Sequence, residues 1–316
     1  MKFFRTFRWF SRFLWALALA AGTAALALPA RAAGQRQFAS PEDAVAGLTV
    51  AARAKDTNAL QAILGPERSS LISVDVVQAA EEFDHFVLLL SQKTALVRIS
   101  DVKATLQLGE DGWPFPIPLV KQQGQWLFDT VAGKDEILNR RVGRDELGAI
   151  SVCRAYVEAQ REYASEDRDG DEVLEYAQHL RSSPGNHDGL YWPPQPGEDF
   201  SPLGPLVAAA HSEGYRKEHR ILTDVQNPYH GYYFRILTKQ GSHAPGGKYS
   251  YIINHHMIAG FALVAWPAEW GNTGVMTFIV NQQGKVYQRN LGPKTAASVA
   301  ALSAYDPDAD WTLVTN

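Results

Sequence analysis

The sequence predicts an α+β protein built from two successive α+β domains, and three observations support that class. Apolar residues recur at helical spacing between Pro41 and Ser91, and short strand-like runs follow up to Asp129. A second succession of helix and then strands begins near Glu146. Helical periodicity and short apolar runs between turns distinguish helices from strands. Strands grouped after helices, rather than alternating with them, favour antiparallel sheets.

The first domain, residues 34–140, is predicted to begin with three helices. Ser40 can cap the first, and Pro41 suits its first turn. The second covers Asp56 to Leu64, and the third covers Asp75 to Ser91. Four strands are predicted after them: Leu96–Ile99, Ala104–Leu108, Pro114–Val120 and Gln125–Asp129. This order resembles the cone-shaped cystatin-like fold of the nuclear-transport-factor-2 superfamily, which implies a fold but no function.

Residues 135–144 are predicted to form a charged connector, with the domain boundary near Arg140. The second domain, residues 141–316, is predicted to start with a long helix from Glu146 to about Ser165. Acidic and proline-rich loops, a short helix at Pro205–Glu213 and an antiparallel sheet follow. The predicted strands of that sheet are Gly231–Thr238, Tyr249–Ile253, Gly260–Trp266, Val275–Val280 and Lys285–Arg289.

Several segments together resemble the bacterial exported family catalogued as domain of unknown function 2950. They are Gly112–Pro116, Glu158–Ala177, Gly189–Trp192, Gly231–Leu237 and Gly260–Gly271. The resemblance covers nearly all of the chain after residue 33 and implies an envelope protein without assigning any catalytic residue. The second domain also somewhat resembles the globular heads of type II secretion pseudopilins. It lacks their apolar N-terminal helix, so no pilus-like assembly is implied.

The N-terminus has the pattern of a cleavable signal peptide. Four basic residues precede an apolar stretch from Phe13 to Leu28, which Pro29 ends, and Ala30-Arg31-Ala32 provides small residues at the cut. The stretch is shorter than the roughly 20 residues that span a bilayer. We therefore expect cleavage near Ala32 and a periplasmic or secreted protein with no transmembrane anchor. An uncleaved N-terminal anchor is the alternative.

Charge and cysteine content exclude some classes of function. The full chain has 30 basic and 34 acidic residues; without the five basic residues of positions 1–33 the balance is 25 to 34, a net charge of −9. Nucleic-acid binding is not expected, since phosphate contacts need clustered Lys and Arg. The chain has one cysteine, Cys153, and therefore forms no intramolecular disulfide. We expect Cys153 to be a small buried apolar residue.

An acidic loop offers the pattern of a partial calcium site. Calcium prefers oxygen ligands at alternate loop positions. Asp167, Asp169, Asp171, the Val173 carbonyl and Glu175 fit such positions. Glu172 stands where a calcium loop has glycine, and Gln178 where it has a bidentate glutamate, so an EF-hand proper is not expected. A solvated acidic turn is the alternative to weak Ca²⁺ binding.

Aromatic residues on loops suggest a second, different site. Tyr191, Trp192, His255 and Trp266 are the candidate ligand-binding residues, because aromatic rings near Gly- and Pro-rich loops can stack on sugars or peptides. Loop anchoring is the alternative role. Eight histidines fall between residues 179 and 256, but without the spacing of a zinc motif.

Catalytic residues stay unknown, because no nucleophile, phosphate-loop or dinucleotide motif occurs in the sequence. The leading hypothesis is a non-enzymatic exported module that binds a ligand or an envelope partner. The alternatives are a periplasmic hydrolase acting on glycan or peptide, and a calcium-stiffened structural or assembly subunit. The oligomeric state is not predicted.

Overall fold

Helices and antiparallel sheets follow one another along the chain, which confirms the α+β class. The computed structural model describes residues 34–168, 170–197, 199–215 and 227–315. The predicted signal peptide lies outside the described residues. From Gly34 onward the chain belongs to one compact unit. We call residues 34–129 the N-terminal half and residues 164–315 the C-terminal half.

The N-terminal half opens with the three predicted helices. They are α1 (Pro41–Arg53), α2 (Thr57–Leu64) and α3 (Val76–Gln92), with a 3-10 helix at Pro66–Leu71 between the last two. Side chains of Ser40, Asp56 and Asp75 accept hydrogen bonds from backbone N–H groups of the first turns. These caps satisfy donors that a helix leaves unpaired at its start. The helix starts could therefore be read directly from the sequence.

An antiparallel sheet follows, with strand order β1-β2-β4-β5 and β3 paired to β2. Its strands are β1 (Thr94–Ser100), β2 (Lys103–Leu108), β3 (Trp113–Pro114), β4 (Leu119–Gln122) and β5 (Gln125–Phe128). The single strand predicted over Pro114–Val120 is wrong: the prolines in that stretch cannot donate ladder hydrogen bonds, and the chain divides there into β3 and β4. Gln123 and Gly124, both at positive φ, form the two-residue turn between β4 and β5.

The long helix α4 spans Thr130–Tyr163 and connects the two halves. The charged connector predicted over residues 135–144 is therefore wrong, because those residues are helical. Arg140 and Glu136 form an i,i+4 ion pair at 2.6 Å on that stretch. The domain boundary predicted near Arg140 falls inside this helix and stays a prediction.

The C-terminal half contains a second antiparallel sheet, with order β14-β13-β12-β11-β6. Its strands are β6 (Tyr232–Leu237), β11 (Ala262–Pro267), β12 (Met276–Asn281), β13 (Tyr287–Asn290) and β14 (Thr312–Leu313). Short pairs are formed by β7 (Lys239–Gln240) with β8 (Tyr249–Ser250), and by β9 (Ile252–Ile253) with β10 (His256–Met257). The helices of this half are α5 (Gly204–Ser212) and α6 (Thr295–Ala301), with a 3-10 helix at Gly292–Lys294.

Two hydrophobic clusters hold the fold together, and α4 contacts both. One cluster gathers residues of the N-terminal half, and Ile137 packs against it. The other gathers the last turns of α4, from Ala149 to Tyr163, with β11 and β12 at its centre. Every residue of β11 is buried. The first part of α4 is thus anchored to one half and its last part to the other.

Two glycines of α4 give a matched test of this packing. A Cβ at Gly133 would lie 2.7 Å from the Ile117 Cα and 2.8 Å from the Pro116 carbonyl oxygen, whereas at the exposed Gly143 it would meet no atom within 4 Å. Gly133→Ala should lower the free energy of unfolding by roughly 1–3 kcal/mol through overpacking. Gly143→Ala should raise it by about 0.5–1 kcal/mol, because alanine is the better helix former. Urea unfolding measures both, and a change of the same sign in both variants would contradict this packing.

Candidate ligand-binding cavity

A cavity of about 990 Å³ lies among α2, α3, the first sheet and the first part of α4. Its apolar lining is Leu60, Leu64, Leu71, Phe83, Phe86, Leu89, Leu108, Trp113, Phe115, Ile117 and Ile137. Small-molecule sites in proteins have volumes of roughly 300–1,000 Å³ and are mostly apolar with a few polar groups. Trp113 is 39% exposed, so the cavity reaches the protein surface. Its size and lining are those of a ligand site.

Helical spacing on α3 builds one wall of the cavity. Ala79, Phe83, Phe86 and Leu89 recur every three or four residues and therefore lie on one face of the helix. Phe86 stacks on Phe115 with ring centroids 5.2 Å apart. Phe115 in turn meets the buried Phe128 edge-to-face at 6.3 Å. These contacts hold the aromatic side chains in fixed positions along the wall.

Charged side chains at one end of the cavity are paired with one another. The Arg141 side chain is only 3% exposed, and its Nη2 donates to Glu82 Oε2 at 2.9 Å. Arg141 also donates to Asn272 Oδ1 at 3.2 Å and to the Leu71 carbonyl. Arg144 donates to the other oxygen of the same Glu82 carboxylate. One carboxylate is thus shared by two guanidinium groups, and the pairs bridge α3 and α4.

A buried hydrogen-bond chain continues from this end of the cavity. Ser73 Oγ donates to Gln78 Oε1 at 2.6 Å, and Gln78 Nε2 donates to Asp145 Oδ1 at 2.6 Å. Asp145 is fully buried, and Oδ2 of its carboxylate has no hydrogen-bond partner among the described residues. Burial raises the pKa of Asp145 from 3.8 to about 7, against the opposing attraction of Arg144. This carboxyl group therefore changes its charge near neutral pH.

Asp75 ties the start of α3 to the C-terminal half. Its Oδ1 caps the helix, while Oδ2 accepts from the Tyr215 hydroxyl at 2.8 Å and from Gly231 N at 3.1 Å. Burial and the neighbouring Asp75 carboxylate raise the pKa of Tyr215, which stays a neutral donor. His230 also lines the cavity, and its Nε2 lies 3.0 Å from Glu213 Oε2. The cavity and the C-terminal half therefore meet at one hydrogen-bonded junction.

Arg68 differs from the other cationic residues of the cavity lining. It lies half-buried on the 3-10 helix, and among the described residues its guanidinium has no ion-pair or hydrogen-bond partner. Burial lowers the pKa of Arg68. By contrast, the guanidinium of Arg140 binds Glu136 at 2.6 Å and covers the Trp113 ring at 4.8 Å. The cavity thus contains one cation whose charge is not compensated within the described structure.

The aromatic residues that the sequence suggested as ligand-binding lie elsewhere. Tyr191, Trp192 and Trp266 are buried in the cluster of the C-terminal half. Trp192 stacks on His187 with centroids 4.3 Å apart, and its Nε1 donates to the Asp199 carbonyl at 3.1 Å. His255 is exposed in a turn at φ 76°. The structure does not bring these four residues to the cavity, and the three buried rings anchor loops and strands to the core.

The acidic loop uses its carboxylates to close turns. Asp167 accepts from Gly170 N at 2.8 Å and from Glu172 N at 2.9 Å, and Asp171 accepts from Val173 N at 2.8 Å.

On the far side of the loop, Asp171 and Glu175 both approach His256 Nδ1, at 3.3 and 3.6 Å. Asp169 lies outside the described residues. In the described part of the chain, no three His, Cys, Asp or Glu side chains are placed to hold a metal ion. Calcium binding by this loop stays a prediction.

Cys153 lies in the interior of the C-terminal half. It is fully buried, and burial raises the pKa of its thiol to about 12. A reactive cysteine needs an accessible thiolate, which this environment disfavours. The residue is a small buried hydrophobe, as the sequence indicated.

The chain is thus an α+β protein with a cavity lined by aromatic and aliphatic side chains. Over residues 35–314 it matches the model of the family described as protein of unknown function DUF2950. The chain belongs to that family, which confirms the resemblance carried by its sequence segments. No curated protein and no solved structure matches the chain, so the cystatin-like and pseudopilin likenesses stay predictions. Within the described residues, every helix is too short or too polar to cross a membrane.

Proposed function

We propose that this chain is an exported cell-envelope protein that binds a small, apolar-bodied ligand without transforming it. The cavity of about 990 Å³, with its aromatic and aliphatic lining, is the observation that carries the proposal. Export rests on the basic, apolar and small-residue pattern of residues 1–32. The sequence favoured a ligand-binding protein, and the cavity is the candidate site for that ligand. The aromatic residues that the sequence suggested do not line this cavity.

Two polar side chains at one end of the cavity, Glu82 and Gln78, are engaged in contacts that favour binding over hydrolysis. Glu82 is held by two guanidinium groups, and Gln78 is held between Ser73 and Asp145. A general acid or base must instead be free to exchange a proton with a substrate. These side chains are committed to joining α3, α4 and the C-terminal half, so they shape the cavity rather than carry out chemistry in it.

A neutral fluorescent probe tests the proposal. N-phenyl-1-naphthylamine carries no charge at neutral pH and increases in fluorescence when it leaves water. We expect saturable binding of one molecule per chain with a micromolar dissociation constant, because burial of an apolar probe with a naphthyl and a phenyl group is favourable by several kcal/mol. Titration of the protein lacking residues 1–33 measures it.

Two neighbouring alanines on α3 provide the blocking variant and its control. Ala79 lines the cavity, whereas Ala80 is exposed and does not. Ala79→Phe should fill part of the cavity and weaken probe binding at least roughly tenfold, since a lost 1.4 kcal/mol already gives that factor. Ala80→Phe should bind the probe like the parent. Absence of saturable binding by the parent, or equal binding by the two variants, would refute this cavity as the site.

A further inference from the structure

Arg68 lines the cavity and has no ion-pair partner among the described residues, and this cation narrows the chemistry of the ligand. We infer that the ligand is a single-chain amphiphile with an anionic headgroup, which pairs with Arg68 while its hydrocarbon body lies along the aromatic wall of α3. This inference rests on the proposed function, because it assumes that the cavity is the ligand site.

Glu67, the neighbour of Arg68 in sequence, pairs with a residue of α4 instead. Glu67 Oε2 accepts from Lys134 Nζ at 3.1 Å, which joins the 3-10 helix to α4. Arg68 N donates to the Gly65 carbonyl at 3.2 Å, and Gly65, at φ 76°, turns the chain from α2 into the 3-10 helix. Arg68 thus lines the cavity while the nearest carboxylate in sequence is paired with Lys134.

The other charges of the lining do not supply a counterion to Arg68. Glu82 is shared by Arg141 and Arg144. The remaining carboxylates of the lining are Glu81, Glu110 and Asp111, all exposed to solvent. Glu110 lies 3.7 Å from Lys93. A half-buried guanidinium without a partner loses hydration and gains nothing in return, so an incoming anion would bind it with a charge-assisted hydrogen bond.

The apolar wall matches the rest of such a ligand. Phe83, Phe86, Leu89 and Leu108 line the cavity alongside Phe115. The volume of about 990 Å³ is at the upper end of the range for drug-sized ligands, so one hydrocarbon chain fits with its headgroup. The cavity thus combines the cationic Arg68 with the apolar side chains of α3. This combination complements an anionic amphiphile better than it complements a sugar or a wholly neutral hydrocarbon.

Three ligands with the same chain length separate headgroup recognition from apolar binding. The competitors of bound N-phenyl-1-naphthylamine are decanoate, 1-decanol and decyltrimethylammonium. The two ions are used below their micelle concentrations and the alcohol below its solubility limit. We expect decanoate to bind the parent protein roughly tenfold or more tightly than 1-decanol, and the cation to bind most weakly, as a charge-assisted hydrogen bond predicts.

Substitutions assign the preference to Arg68. Arg68→Gln should abolish the preference for decanoate while 1-decanol binds as before, and Arg68→Lys should retain most of it. Arg144→Gln is the matched control, because Arg144 also lines the cavity but is 55% exposed and already paired. Retained preference in Arg68→Gln, or no preference in the parent, overturns the inference. If the parent binds 1-decanol and the probe without preferring the anion, the proposed function stands alone; if it binds neither, both fail.

Discussion

Asp145→Asn is expected to raise the free energy of unfolding at pH 8 by up to roughly 4 kcal/mol and to change it little at pH 4. Burial raises the pKa of Asp145 from 3.8 to about 7 in the folded protein. At a pH between these two pKa values, Asp145 keeps its proton in the folded state and has lost it in the unfolded state. Stability therefore falls as pH rises from about 4 to about 7, and stays lower above that.

Asparagine has no proton to lose, so the variant lacks this decline. Its Oδ1 can still accept from Gln78 Nε2, as Asp145 does at 2.6 Å. Arg144, Gln78, Glu82 and Arg141 also act on Asp145, but burial is the largest cause of its raised pKa.

Urea unfolding of the parent and of Asp145→Asn at pH 4, 6 and 8 measures the difference. Asp111→Asn, at an exposed aspartate, serves as the control and should change stability by less than about 0.5 kcal/mol at every pH. A difference between Asp145→Asn and the parent that does not vary with pH, or that is largest at pH 4, would show that Asp145 is not a buried neutral acid.

Arg141→Gln is expected to lower the free energy of unfolding by about 3–5 kcal/mol, the usual cost of removing one partner of a buried ion pair. The Arg141 side chain is 3% exposed and donates to Glu82, to Asn272 Oδ1 and to the Leu71 carbonyl. Removing the guanidinium leaves Asn272 Oδ1 and the Leu71 carbonyl without this donor, and leaves Glu82 paired with Arg144 alone, at the junction of α3, α4 and the C-terminal half.

Arg144→Gln gives the matched comparison, because Arg144 pairs with the same Glu82 but is 55% exposed. An exposed pair contributes about 0–1 kcal/mol, so this variant should lose no more than that. Thermal and urea unfolding of the two variants side by side measure the difference. Similar losses in both would mean that burial of Arg141 does not determine its contribution.

The start positions of the helices in the N-terminal half could be predicted because the signals are local. Ser40, Asp56 and Asp75 each accept hydrogen bonds from the first turn of the helix that follows them. Capping and apolar periodicity act within a few residues, so a single sequence contains them. The α+β class follows from the order of these elements.

The first part of α4 could not be predicted because the face it buries is polar. Thr130, Gly133, Arg141 and Asp145 are buried along α4 at roughly helical spacing. A hydropathy pattern detects apolar stripes only, and the partners that make these polar side chains tolerable come from distant parts of the chain. Glu82 and Gln78 on α3 are such partners, 59 and 67 residues away in sequence.

The cavity could not be predicted from the sequence for a related reason. Phe83 and Phe86 fit the apolar side of α3, and the same spacing serves a filled core and a hollow one. The aromatic loop residues that the sequence indicates do not line the cavity, since Tyr191 and Trp192 are buried within the C-terminal half. Arg68 lies in a segment for which no element was predicted, and its lack of a partner is visible only in three dimensions.

Photo-labelling with a long-chain fatty acid that carries a diazirine on its hydrocarbon chain tests most directly whether the cavity is the ligand site. After irradiation, peptide mass spectrometry locates the labelled residues. We predict labels on α3 at residues 83–89 and on residues 108–117, lost in Ala79→Phe and retained in Ala80→Phe. Labels concentrated in the C-terminal half, for example around Tyr191 and Trp266, or labelling unchanged by Ala79→Phe, would contradict the cavity as the binding site.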